Sequence, residues 1–155
     1  RWGWIESCPR LIAAEVSGSL SAALAGDDAM PPDVPRTGAS LALSIDVTRG
    51  TYQALHAVRR SGGVAVTLDD EALLDWQRRL ASGAGLFVET SSAAALAAID
   101  RLTESGTIGR DDTVVAVLTA SGLKDSGTGA TDAPEVAADL DSVLGALRQA
   151  YGFDG

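Results

Sequence analysis

An α/β fold in three layers, a mainly parallel sheet with helices on both faces, is what this sequence predicts, and three observations carry the prediction. Strand-like and helix-like patterns alternate from one end of the chain to the other with no internal repeat. The run Thr113-Val114-Val115-Ala116-Val117-Leu118 shows no apolar/polar alternation, the signature of a parallel strand covered on both faces and central in its sheet. A length of 155 residues, 46% of them hydrophobic, suits one domain with a full core.

The elements follow in order. Residues 11–16 are a short apolar run that reads as a strand, and Ser17-Gly18-Ser19 turns into a short helix through Leu20, Ala23 and Leu24 that stops at Gly26. Prolines 31, 32 and 35 remove backbone donors from the next stretch, which predicts an exposed loop. Residues 36–43 are dominated by small side chains and fit a strand or irregular backbone. Thr51 is placed to cap a helix whose face is Tyr52, Leu55 and Val58, with Arg59 and Arg60 in its last turn and Gly62-Gly63 ending it. Residues 64–68 read as a strand. Asp69-Asp70-Glu71 then puts acids at the start of a helix carrying Leu73, Trp76 and Leu80, closed by Gly83.

Residues 86–89 make a brief strand or extended segment, and Thr90-Ser91-Ser92 leads into an alanine-rich helix through Leu96, Ile99 and Leu102 to Gly106. After the run at 113–118 comes a loop of small polar residues. Asp132 and Pro134 open a final amphipathic helix with Val136, Leu140, Val143, Leu144 and Leu147 on one face.

Composition narrows the function. Lys and Arg total 12 against 21 Asp and Glu, for a net charge of −9, which disfavours nucleic acid and anionic membrane surfaces as partners. No apolar run approaches the ~20 residues of a membrane span, and no basic-then-apolar leader opens the chain. The first residue is Arg1 rather than Met, which predicts sequence upstream of it. One cysteine, Cys8, and one histidine, His56, exclude a disulfide framework and a His/Cys metal cluster. Cys8 reads as an inert, buried thiol in a reducing, cytoplasmic compartment, and His56 as a partly exposed surface residue.

In parallel sheets ligands sit at the carboxyl ends of strands. That rule selects the loops Glu15-Val16-Ser17-Gly18-Ser19, Glu89-Thr90-Ser91-Ser92 and Thr119-Ala120-Ser121-Gly122, all small and hydroxyl-rich. The second opens a helix, where free backbone N–H groups can seat an anion. Serines at such positions also cap helices, so each loop alone fits a structural role as well. No nucleophile elbow, phosphate loop or dinucleotide fingerprint occurs in the chain. The residues by themselves reach a small-molecule site of the α/β type.

Gly85-Leu86-Phe87-Val88-Glu89-Thr90-Ser91-Ser92-Ala93-Ala94, followed by Val114-Val115-Ala116-Val117-Leu118-Thr119-Ala120-Ser121-Gly122-Leu123-Lys124-Asp125, resembles the C-terminal part of threonine synthase, a fold-type II pyridoxal-phosphate enzyme. Residues 9–19 and the acidic start at 69–71 extend the resemblance upstream. It implies that Thr119 hydrogen-bonds the pyridine nitrogen of pyridoxal 5'-phosphate, and that Glu89, Ser121 and Gly122 border the cofactor. A hydroxyl partner leaves that nitrogen largely unprotonated, which suits elimination and replacement at the β and γ carbons. Thr90 stands where the family has proline, and Ala120 where it has glycine.

The family's Schiff-base lysine and glycine-rich phosphate loop precede the region of resemblance, and the only lysine here, Lys124, is not at the Schiff-base position. The resemblance therefore implies no catalytic residue and no metal ligand in this segment, Glu15 being at most a weak cation candidate. Residues 1–130 are expected to form an incomplete pyridoxal-phosphate-enzyme domain, with 131–155 a helix packed on it. The full-length enzyme, a homodimer by resemblance, would convert O-phosphohomoserine and water to threonine and phosphate. A serine/threonine ammonia-lyase or other β-replacement enzyme, and a non-catalytic small-molecule-binding paralogue, are the competing expectations.

Overall fold

The computed structural model describes residues 3–35, 38–125 and 135–153. Two strands, β1 (Ile12–Glu15) and β2 (Val64–Thr67), pair in parallel with Ile12 opposite Val64 and Glu15 opposite Thr67. The connection between them carries α1 (Ser19–Gly26) and α2 (Tyr52–Arg60). After β2 come α3 (Asp70–Ala84), α4 (Thr90–Glu104), a 3₁₀ turn (Gly122–Lys124) and α5 (Leu140–Tyr151).

Strand period dictates the packing. Successive side chains point to opposite faces of a strand, so Ile12, Ala14 and Val66 meet Leu73, Ala94, Ala97 and Ala98 of α3 and α4. On the other face Ala13 and Ala65 meet Leu20 and Ala23 of α1 and Leu55 of α2. The alanines on both faces bring helix backbones close to the sheet. Leu55 and Leu73 are fully buried, and truncating either to alanine would cost about 2–5 kcal/mol. At the start of β2 the backbone runs hard against Leu11: a Cβ on Gly63 would lie 1.9 Å from the Leu11 carbonyl oxygen.

Local signals set the helix ends. Thr51 Oγ1 accepts from the Ala54 N–H at 3.1 Å, and Asp69 Oδ1 from the Ala72 N–H at 2.9 Å, as their positions predict. The third helix passes through Gly83 and stops instead at Gly85, whose φ of +67° is the left-handed turn that glycine adopts freely.

Five expectations need correction. Residues 113–118 belong to no strand, and Val115 and Val117 are 83% and 66% exposed. A strand exists only as part of a ladder, and among the described residues this run pairs with none. Residues 86–89 contribute only an isolated antiparallel bridge, Val88 to Ser121. The last helix starts at Leu140, because Asp139 is extended and its carboxylate accepts the Ser142 N–H at 2.8 Å, so Val136 lies before it; Asp132 and Pro134 fall outside the described residues. None of α5 is buried. The proline loop is tied down as well as exposed: Pro31 is fully buried, and the Pro32 carbonyl accepts from Ser19 Oγ at 2.7 Å. Cys8 is exposed, since residues 3–10 all lie outside the packed layers.

Candidate functional site

The loop after β1 closes on itself. Glu15 is buried at the strand end, and its two carboxylate oxygens accept the N–H groups of Leu20 at 3.0 Å and Ser21 at 2.7 Å. A carboxylate is thus seated at the N-terminus of α1, where the helix dipole favours it. These bonds occupy the group that stood as a weak cation candidate. Ser19 Oγ, also buried, donates to the Pro32 carbonyl and accepts from the Gly50 N–H at 2.9 Å.

Where β1 and β2 end, a cleft of roughly 280 Å³ is lined by Ser17, Ser40, Asp46, Asp69 and Asp70. Its acids organise the cleft wall. Asp70 accepts from Ser40 Oγ at 2.5 Å and from the Leu41 N–H at 3.0 Å, which fixes the irregular segment above the strands. The backbone N–H of Ala72, helped by the Arg101 guanidinium 2.7 Å away, holds the Asp69 carboxyl below the usual carboxylate range.

The other two loops meet. Ser92 lies in the first turn of α4 and is 2% exposed; its Oγ is 2.8 Å from Thr119 Oγ1 and accepts the N–H groups of Thr119 at 3.2 Å and Ala120 at 3.1 Å. Glu89 N–H donates to the Ala120 carbonyl at 3.0 Å, and Gly122 N–H to the Phe87 carbonyl at 3.0 Å. Asp125 completes the junction through one oxygen, Oδ2, which accepts the Thr90 N–H at 2.8 Å, Thr90 Oγ1 at 3.2 Å and Gln77 Nε2 at 3.1 Å. Gln77 is buried, and its amide nitrogen also reaches the Val88 carbonyl at 2.7 Å. The N-terminus of α4, expected to be open for an anion, is therefore filled by the chain's own Asp125.

Each predicted site residue has a definite place. Thr119 is exposed, with its hydroxyl held by Ser92. Glu89 is buried at the turn into α4, and its carboxylate has no hydrogen-bond partner among the described residues. Ser121 caps the 3₁₀ turn by accepting the Leu123 N–H at 3.3 Å. Gly122 is required by packing: a Cβ there would lie 2.7 Å from the Val88 carbonyl oxygen and 2.8 Å from the Phe87 ring. Among the described residues the loop at 15–19 makes no hydrogen bond to this junction and forms a separate corner of the molecule, while Thr90 Oγ1 reaches the Leu41 carbonyl of the irregular segment at 3.2 Å.

Sequence reasoning missed Ser92, Gln77 and Asp125 as parts of the site. For Ser92 the signal was present, a serine in the first turn of a helix beginning at a strand end, but it was absorbed by the ordinary capping role. Asp125 closes the G-L-K-D stretch, and only its distance of 35 residues from Thr90 hid the contact. Lys124 is exposed on the 3₁₀ turn.

Over residues 1–120 the chain matches the family described as pyridoxal-phosphate dependent enzyme. It is 34% identical to the threonine synthase of Methanosarcina acetivorans over 151 residues, which is 96% of this chain and 37% of that protein. The threonine synthase of Methanocaldococcus jannaschii is 34% identical over 127 residues, 79% of this chain and 31% of the relative. That of Mycobacterium tuberculosis (strain ATCC 25618 / H37Rv) is 31% identical over 134 residues, 86% of this chain and 36% of the relative. The chain thus spans about a third of the length of these curated relatives. With the match running through Glu89 and Thr119, one in each of the loops that meet at the junction, the chain belongs to the pyridoxal-phosphate-dependent enzyme family.

Proposed function

We propose that this chain is the C-terminal portion of a threonine synthase-like enzyme that converts O-phosphohomoserine and water to threonine and phosphate. The observation that carries the reading is the junction of the two loops, which brings the loop of an exposed hydroxyl, Thr119, onto that of a buried carboxylate, Glu89, with no hydrogen-bond partner among the described residues. These residues fit one edge of pyridoxal phosphate. Thr119 would hold the ring nitrogen by a neutral hydrogen bond, Glu89 would border the ring, and Ser121 and Gly122 would set the height of the loop between them. When bound, the cofactor supplies the electron sink for elimination and replacement at the β and γ carbons of an amino acid.

The covalent attachment of the cofactor falls to a lysine outside this segment, since Lys124 lies in the G-L-K-D stretch, which by resemblance is not the Schiff-base position. The 155 residues alone are therefore inactive in this reading, and the exposed apolar side of α5 packs on the rest of the enzyme. In the full-length protein the sheet grows to a central parallel sheet between helical layers, with 113–118 among its strands.

The test is made on the full-length protein incubated with pyridoxal phosphate. Visible absorbance from lysine-bound cofactor and release of phosphate from O-phosphohomoserine are expected, and Thr119→Val is expected to cut turnover at least tenfold while cofactor is retained. Ammonia release from serine or threonine without phosphate release would transfer the assignment to an ammonia-lyase. Absence of the absorbance band would overturn the enzyme reading altogether.

A further inference from the structure

The hydroxyl pair Ser92 and Thr119 has a direction that its hydrogen bonds fix. A serine hydroxyl offers one proton and two lone pairs. Both lone pairs of Ser92 Oγ are engaged, by the N–H of Thr119 at 3.2 Å and the N–H of Ala120 at 3.1 Å. Its remaining capacity is its proton, and among the described residues the one acceptor bonded to it is Thr119 Oγ1 at 2.8 Å. Ser92 is 2% exposed, so water is not available to take that proton in place of Thr119, and a buried hydroxyl left without an acceptor would be costly. Thr119 Oγ1 therefore accepts from Ser92, and its own proton, on an exposed residue, is left for a partner other than Ser92.

We infer that Ser92 is a positioning residue that locks the Thr119 hydroxyl as a hydrogen-bond donor toward a neutral ring nitrogen. The inference rests on the reading in which Thr119 faces the pyridine nitrogen of pyridoxal phosphate, and it adds what that reading leaves open: which way the hydroxyl is turned. A free threonine hydroxyl serves either form of a pyridine, donating to the bare nitrogen or accepting from the protonated one. A threonine already accepting from Ser92 is biased to donate, and a protonated ring would face it donor to donor. Chains of hydroxyls of this kind also polarise one another, which strengthens the outward donor. The site thus selects the unprotonated ring through a residue that never touches it.

The experiment uses the full-length enzyme loaded with pyridoxal phosphate carrying ¹⁵N at the ring nitrogen, whose chemical shift is followed against pH. In the unmutated protein the shift should report an unprotonated nitrogen through neutral pH. Ser92→Ala should raise the apparent pKa of that nitrogen by about one unit, roughly a tenfold change in the protonated-to-neutral ratio. Thr119→Val should move the shift as well, since it removes the partner itself. A Thr119→Val that moves the nitrogen signal with a Ser92→Ala that does not would overturn the role of Ser92 and leave that of Thr119 standing. No change in either variant would overturn both. Should Ser92→Ala fail to fold, neutron diffraction on deuterium-exchanged, unmutated holoenzyme decides the matter. A deuteron bonded to Ser92 Oγ and aimed at Thr119 supports the inference, and one bonded to Thr119 and aimed at Ser92 overturns it.

Discussion

Two corners of this molecule use the same device over different reach. After β1, Glu15 seats its carboxylate on the N-terminus of α1, five and six residues further along the chain. At the start of α4 the seat is filled by Asp125, 35 residues away from Thr90. Glu15 stabilises a turn that its own neighbours would form anyway. Asp125 draws the 119–125 loop onto α4 and thereby brings Thr119 to Ser92, so the same carboxylate-on-helix contact becomes the step that assembles a site.

Breaking the long-range seat should therefore do the larger harm. Asp125→Ala leaves the Thr90 N–H and the buried Gln77 amide short of an acceptor, and should destabilise the full-length protein by about 3 kcal/mol in denaturant unfolding. It should also loosen cofactor retention. A loss below about 1 kcal/mol with retention unchanged would put Asp125 on a level with an ordinary surface carboxylate. Glu15→Ala removes two charge-assisted bonds at a single helix end and should cost about 2 kcal/mol, with cofactor retention intact. Retention falling alongside stability in that variant would erase the contrast between the two corners.

Thr90→Pro sharpens the comparison further. Proline suits the first position of a helix, so the cost comes from the lost N–H and hydroxyl bonds to Asp125 and should be about 1.5 kcal/mol by the same unfolding assay. The family's proline has no N–H to give, so threonine here adds a bond that proline cannot make. A stabilised Thr90→Pro variant would show that the seat gains nothing from it.

The smallest expected effect belongs to Asp69, a mostly exposed cap that also pairs with Arg101. Its folded pKa is lowered, first by the Ala72 N–H and then by Arg101. Its contribution is thus complete above the ordinary carboxylate range and is lost as pH falls through the lowered folded value. The acid limb of a stability profile should flatten in Asp69→Ala, by less than about 1 kcal/mol. An unchanged acid limb would remove Asp69 from the groups that tie stability to pH.

The same distinction between near and far explains what the sequence reveals. Thr51, Asp69 and Gly85 act within a few residues of themselves, and two of the three were read correctly from position alone. The parallel pairing of 12–15 with 64–67 follows from matched apolar runs separated by helices, each strand short but bounded by clear turns. The strand-end rule selects the loops of Glu89 and Thr119, and their proposed roles rest on the resemblance to a family pattern, because nothing in their immediate neighbours distinguishes a site hydroxyl from a cap. Ser92 and Asp125 were missed since their meaning lies in contacts 27 and 35 residues away. The run at 113–118 misled for a further reason: its apolar pattern describes a ladder on either side of it, and no described residue pairs with it.

That run has a practical consequence. A segment with Val115 and Val117 exposed and, among the described residues, no ladder partner for its backbone is a template on which a like segment can lie. In a tube of this chain by itself, the most available like segment is the one on the next molecule. Solubility at high concentration therefore depends on five consecutive residues, Val114 to Leu118, and a single lysine in place of Val115 is the smallest change that would keep neighbouring copies apart.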